Sequence, residues 1–252
     1  MIDIKRAKEA FAKYVDAYDK TNSKVDLKYN HTLRVVDLCK NIALSLHLND
    51  DDIDLAELLG LLHDVGRFEQ IRVYNSFSDS KTVDHGDFGT YILFNDNKIR
   101  DFIETDEYDE LIKKVVSCHN KNAITEGFTP EEELFAKIVR DADKIDILYL
   151  DSINRIRYKR EDEIISREVI ECILSKTSID RRIARTGLDK VLLNLAFIYD
   201  LNFQYSYNII RNNNYLALII DNLDLEQEES KRVFDKLIDF INKDFDLIKE
   251  VI

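Results

Sequence analysis

The chain is short of helix breakers. One proline, Pro130, and six glycines occur in 252 residues, so little interrupts long helices. No two alternating apolar runs flank a tight turn, which removes the usual hairpin signal. No stretch approaches the roughly 18 apolar residues of a membrane span. The N-terminal MIDIKRAKEAFAKY is amphipathic and lacks the apolar centre of a signal peptide. Cysteine is scarce and unpatterned: Cys39, Cys118 and Cys172 are far apart, odd in number and form no CxxC. They read as reduced thiols, so the expected location is cytoplasmic, with no membrane partner. Positive charge is also in deficit. The 36 Lys and Arg against 49 Asp and Glu leave a net charge of −13, a field that repels phosphate-rich polymers, and no nucleic-acid polymer is expected as a partner. A small anionic substrate stays compatible, because a divalent metal with a few local cations reverses the field inside one cleft.

What is present is a globular composition, 45% hydrophobic and 34% charged. The length suits one large domain, or a core with an appended subdomain. Residues 4–20 carry an apolar stripe (Ala7, Phe11, Tyr14, Val15, Tyr18) at helical spacing, and a second helix is predicted from about Tyr29 to Leu46, with His31 in its first turn. The Asp50-Asp51-Asp52 run suits the start of a third helix, which carries Leu55, Leu58, Leu59 and Leu62 and ends at His63-Asp64, with Gly66 free to take a positive φ at the stop. Residues 67–84 read as a short helix and a loop. Further helices are predicted from Asp84, over 108–118 and over 131–150, the last opened by Thr129, Pro130 and Glu132. Stretches 165–175, 188–210 and 228–250 complete an all-α chain.

The chemistry concentrates at His63-Asp64. An imidazole and a carboxylate side by side at a helix end can both reach one metal ion, and a carboxylate can share its two oxygens between two ions. Three more of the five histidines stand in polar, well-spaced contexts: His31 in KYNHTLRVV, His85 in VDHGDFG and His119 in VSCHNKN. An acidic cluster, IVRDADKIDIL, follows. These residues are too far apart for one local motif such as HExxH, but suit ligands donated by successive helices of a bundle. Imidazole with carboxylate fits Mn, Fe, Zn, Ni or Mg.

In order, YNHTLRVV, LLHDVGRFEQ, DHGDFG, SCHNK and VRDADKID resemble the H…HD…H…H…D pattern of the HD-domain superfamily of metal-dependent phosphohydrolases. The resemblance covers about residues 25–150. It implies an all-α HD-domain helical bundle, with residues 1–150 as the metal-binding catalytic core and 151–252 as a C-terminal helical extension packed on it. It implies one or two divalent ions held by His31, His63, Asp64, His85, His119 and Asp143, with Asp64 as the bridge. Asp143, the aspartate of the ADKI string, is favoured over Asp141. The implied reaction is hydrolysis of a phosphoester or phosphoanhydride of a small phosphorylated molecule, such as a nucleotide, by metal-activated hydroxide. Asp64, Arg67, His85 and His119 would serve the chemistry, and Lys28, Arg67 and Lys121 the phosphate. A homo-oligomer is compatible with all of this.

Plainer readings stand beside these. If one metal binds, His85 and His119 contact phosphate or move protons instead. Arg67 equally fits a surface ion pair, Cys118 a packing role, and His47 a helix end. Two other functions share the pattern: a di-iron oxygenase of the same fold, and a non-catalytic metal or nucleotide sensor. The paired HH and the GYP signature of the cyclic-dinucleotide phosphodiesterases are missing. The final hundred residues are too short and too helical for the synthetase domain of the alarmone enzymes.

Overall fold

The computed structural model describes residues 2–154 and 163–244, and among them there is no β-strand. The chain forms two compact units, Met1–Ala142 and Asp143–Ile252.

The first unit is built from helices whose starts are written in side-chain caps. Helix α1 (Ile4–Val15) begins where Asp3 accepts the Arg6 amide, and buries Ala7, Phe11 and Val15. It stops at Asp16, short of the stripe's apparent end at Tyr18. Helix α2 (Ser23–Ser45) starts at Asn22, whose side chain accepts the Lys24 amide. That start is earlier than the apolar period suggests, so His31 lies well inside α2 and is buried. Helix α3 (Asp50–Leu62) is capped by Asn49 rather than by the acidic run, which fills its first turn. Leu55, Leu58, Leu59, Leu61 and Leu62 are all buried on α3; a helix apolar on every side belongs at the centre of its unit. It packs on α2, and Gly60 permits the approach: a Cβ there would lie 3.2 Å from Val36 Cα.

Helix α4 (Val65–Tyr74) follows almost without a break. A 3₁₀ turn (Asp79–Lys81) leads to α5 (His85–Phe94), capped by Asp84, then α6 (Ile99–Phe102) and α7 (Asp109–Cys118). Helix α5 packs on both α4 and α7. Gly66 lies inside α4 and has no positive φ. Its Cβ position is filled by the α5 backbone, with His85 O at 2.2 Å, so the glycine serves contact rather than helix termination. The buried acid of α3, Glu57, is answered by Lys8 at 2.6 Å and Lys40 at 2.7 Å.

Helix α8 (Pro130–Ile153) crosses the unit boundary, which falls within it rather than after residue 150. The expected capping box is present: Thr129 N donates to Glu132 at 2.7 Å, and Glu132 N to Thr129 Oγ1 at 3.2 Å.

The second unit contains α9 (Arg167–Leu174), α10 (Gly187–Leu195), a 3₁₀ turn (Ala196–Asp200), α11 (Gln204–Asn212), α12 (Tyr215–Asp221) and α13 (Glu228–Asp239), which runs on into one π turn (Phe240–Asp244). The single helix expected over 188–210 is thus three pieces, and the end of the one expected over 228–250 lies outside the described residues. Asp189, fully buried, holds this unit's loops. Its carboxylate accepts from Ser166 N (2.8 Å), Ser166 Oγ (2.6 Å), Arg185 N (2.8 Å) and Thr186 N (2.9 Å). Burial alone would raise its pKa, but these donors outweigh it and hold the group below the ordinary 3.8. A carboxyl lowered on folding stabilises above its unfolded value, and that stability is lost as the pH falls through the folded value. The expected result is acid unfolding of this unit below about pH 4. Asp189→Ala should cost about 3 kcal/mol at neutral pH by stranding buried donors, and should remove that acid step from a pH-dependent melting series.

Candidate metal centre

Five helices bring five of the six expected ligands together. His31 comes from the middle of α2, His63 from the C-terminal cap of α3, Asp64 from the N-terminal cap of α4, His85 from the first residue of α5, and His119 from the C-terminal cap of α7. All five are buried. They form two triads that share Asp64: His31, His63 and Asp64, and Asp64, His85 and His119, each with ligand atoms within 4.8 Å of one another. The two carboxylate oxygens divide between them. Oδ2 lies 3.4 Å from both His31 Nε2 and His63 Nε2. Oδ1 lies 3.3 Å from His85 Nε2 and 3.7 Å from His119 Nε2.

The ring orientations follow from what the other nitrogens touch. His63 Nδ1 is 2.7 Å from Gly60 O, and His119 Nδ1 is 2.7 Å from Val116 O. A peptide carbonyl only accepts, so each Nδ1 carries the proton and each Nε2 a lone pair. His85 Nδ1 is 2.7 Å from Asp79 Oδ2, which gives the same tautomer. The lone pairs of His85 and His119 then face each other at 3.0 Å, beside a carboxylate oxygen. Burial, only partly offset by Asp79 and Asp64, pushes the His85 pKa down to about 4, so His85 brings no second proton to the contact at neutral pH. Electron-rich atoms at these spacings repel one another, and a divalent cation among them reverses the sign. The donor set therefore fits a metal.

Charge around Asp64 is arranged to keep it ionised. Burial raises its pKa, but Lys28 foremost, with the surrounding histidines, holds it well below the usual carboxylate range. Lys28 Nζ is 2.6 Å from Asp64 Oδ2, reached from the turn of α2 before His31. Arg67 is pinned: its Nη1 donates to Gln70 Oε1 (2.7 Å), Phe77 O (2.8 Å) and Asp79 Oδ1 (2.7 Å), and its Nε is 3.7 Å from Asp64 Oδ1. Lys28 and Arg67 both flank the Phe77 ring, at 5.9 and 5.7 Å from its centroid. Lys121 is ion-paired elsewhere, with Asp84 at 2.6 Å and Asp87 at 3.1 Å.

Asp143, the sixth expected ligand, is the first residue of the second unit and is half-buried on α8. Its competitor Asp141 is fully buried; two positions apart, they stand about 200° from each other around the helix, so one face of α8 cannot present both. Cys118 is a buried thiol with its pKa pushed up to about 11 by burial, as a packing residue should be. His47 is exposed in a left-handed turn after α2.

Two residues at the centre escape the sequence reading. Asp79 orients His85. Arg140 donates to the carbonyls of Cys118 (3.2 Å), His119 (3.3 Å), Lys121 (2.6 Å) and Asn122 (3.3 Å), and so fixes the helix end that carries His119. Its position beside Asp141 in VRDADK was the only available hint.

Residues 29–148 match the family model described as HD domain. No curated protein and no solved structure matches the chain.

Proposed function

We propose, from the match of residues 29–148 to the HD-domain family model, a family generally of metal-dependent phosphohydrolases, that this chain hydrolyses a phosphoester or phosphoanhydride bond of a small phosphorylated molecule, a nucleotide among the candidates. The observation that carries the reading is one carboxylate, Asp64, shared by two histidine pairs with a lysine at 2.6 Å. Divalent metals bound there would supply Lewis acidity and lower the pKa of a water from roughly 15.7 to about 7. His31, His63, His85 and His119 would hold the ions through Nε2, and Asp64 would bridge them. Asp143 is the last ligand that the family pattern names.

The chain's own groups then divide the work. Lys28, 13% exposed at its side chain, is the cation best placed to leave Asp64 for a substrate phosphate once metal supplies the positive charge. Arg67 adds charge at longer range while its guanidinium holds Asp79. Burial of the five ligands keeps bulk water from competing for the developing charge. Among the described residues no helix is long and apolar enough to cross a membrane, and the −13 net charge favours a small substrate over a nucleic-acid polymer.

The test is release of phosphate or pyrophosphate from a panel of nucleotides and simple phosphoesters by Mn²⁺-loaded protein. Turnover is expected, and no turnover of any phosphoester by fully loaded protein would overturn the reading. Parallel loading with Fe²⁺ and measurement of O₂ uptake checks the oxygenase alternative. Asp143→Asn should lower metal content, whereas Asp141→Asn should leave it unchanged; the reverse outcome would transfer the role to Asp141.

A further inference from the structure

The histidines of the two triads are not all supported in the same way. His63 and His119 each donate Nδ1–H to a carbonyl three residues back on their own helix, Gly60 O and Val116 O. Those acceptors belong to the backbone and are present whatever the side chains are. His85 has no such support, because it is the first residue of α5 and no helical turn precedes it. Its Nδ1 instead meets Asp79 Oδ2 at 2.7 Å, a side chain in a short 3₁₀ turn.

Asp79 is in turn gripped from α4. Its Oδ1 accepts from Arg67 Nη1 at 2.7 Å and from Gln70 Nε2 at 3.0 Å. Gln70 is fully buried and also donates to Thr82 Oγ1 and Val83 O, both at 2.9 Å. Asn120 Nδ2 approaches Asp79 Oδ2 from the other side, at 3.4 Å. One oxygen of Asp79 is thus committed to donors from α4, and the other faces His85 at 2.7 Å with Asn120 at longer range.

We propose that Asp79 is the positioning residue that makes His85 a metal ligand, and that it thereby decides whether the second half of the centre takes up an ion. This rests on reading the cluster as a two-ion site. The physical argument is a choice of tautomer. With Asp79 ionised, His85 must carry its proton on Nδ1 and present the Nε2 lone pair to Asp64 and His119. In Asp79→Asn the side chain keeps its shape but loses its symmetry. Arg67 and Gln70 are donors, so the amide oxygen must face them and the NH₂ must face His85. The ring then accepts at Nδ1, the proton moves to Nε2, and a nitrogen that bears a proton cannot bind a metal. The first triad does not depend on Asp79 and should be spared.

Two measurements test this. Side-chain ¹⁵N NMR of the metal-free protein should place the His85 proton on Nδ1 in the wild type and on Nε2 in D79N. Titration with Mn²⁺ should give two ions per chain in the wild type. D79N should bind one ion with unchanged affinity and the other about 10- to 100-fold more weakly. Asp79→Glu, which keeps the carboxylate, should recover most of the second ion. Two ions of wild-type affinity in D79N would overturn the role of Asp79 alone. A wild-type chain that binds fewer than two ions would overturn the two-ion reading beneath it. The wild-type tautomer decides the matter even if D79N fails to fold, since Nε2–H at His85 in the native protein would contradict the proposal directly.

Discussion

Asp64→Asn should leave the protein unable to hold either ion, and phosphohydrolase turnover should fall at least about 1,000-fold, the scale of losing a group central to transition-state charge stabilisation. The expectation follows from the division of the carboxylate: Oδ2 serves the His31 and His63 side, and Oδ1 the His85 and His119 side. No other single side chain belongs to both triads. Removing the charge also leaves Lys28 without its partner in a largely dry setting, which costs about 3 kcal/mol when one member of a buried pair is lost. Outward rotation of Lys28 should offset part of that cost. The checks are elemental analysis after Mn²⁺ loading and a melting curve without metal. Two ions retained by D64N would place the centre elsewhere.

The clustered histidines and Asp64 were legible because the chemistry of candidate ligands is local and ordered. An imidazole is written as His wherever it stands, and the HD pair at the end of a leucine-rich helix marks the centre without knowledge of the packing. The capped helix start at the Thr129–Glu132 box was legible for the same reason, whereas the Asn22 and Asn49 caps were not. What supports the ligands was not. Asp79 sits in SFSDSK, a polar stretch whose composition matches any solvated loop, and its role exists only because α4 and α5 pack side by side. Arg67 looks like a phosphate clamp from its distance to Asp64 in sequence, yet three acceptors on other residues occupy its Nη1. Residues 188–210 have no Gly or Pro to mark a break, so their division into α10, a 3₁₀ turn and α11 could not be read from apolar content alone. The depth of His31 was missed because the first turns of α2 carry few apolar residues, while Asn22 had already started the helix.

Gly66 joins these two kinds of information, and its substitution should have the second-largest effect. A Cβ at Gly66 would stand 2.2 Å from His85 O and 2.6 Å from Gly89 N, both backbone atoms of α5. Neither can rotate away, so Gly66→Ala must push α4 and α5 apart. Overpacking of this kind costs about 1–3 kcal/mol, and more where only backbone can yield. The functional cost should be larger than the thermodynamic one. His85 opens α5, so its ring moves with the carbonyl that the new methyl displaces, and Asp79 is held from α4 on the other side of the same gap. Misplacement by about 1 Å can cost 100-fold in rate. We therefore expect G66A to fold with a lowered melting temperature, to keep the ion of the His31 triad, to lose that of the His85 triad, and to lose activity by about two orders of magnitude. Gly60→Ala is the graded comparison, because its nearest neighbour is the Cys39 sulfur at 3.0 Å and a side chain can give way. Gly127→Ala is the contrast: nothing lies within 4 Å, and only the φ of +89° is strained, which should cost about 1 kcal/mol or slightly more and leave metal uptake untouched. If G66A and G127A bind Mn²⁺ equally well, close contact between α4 and α5 is not what aims His85.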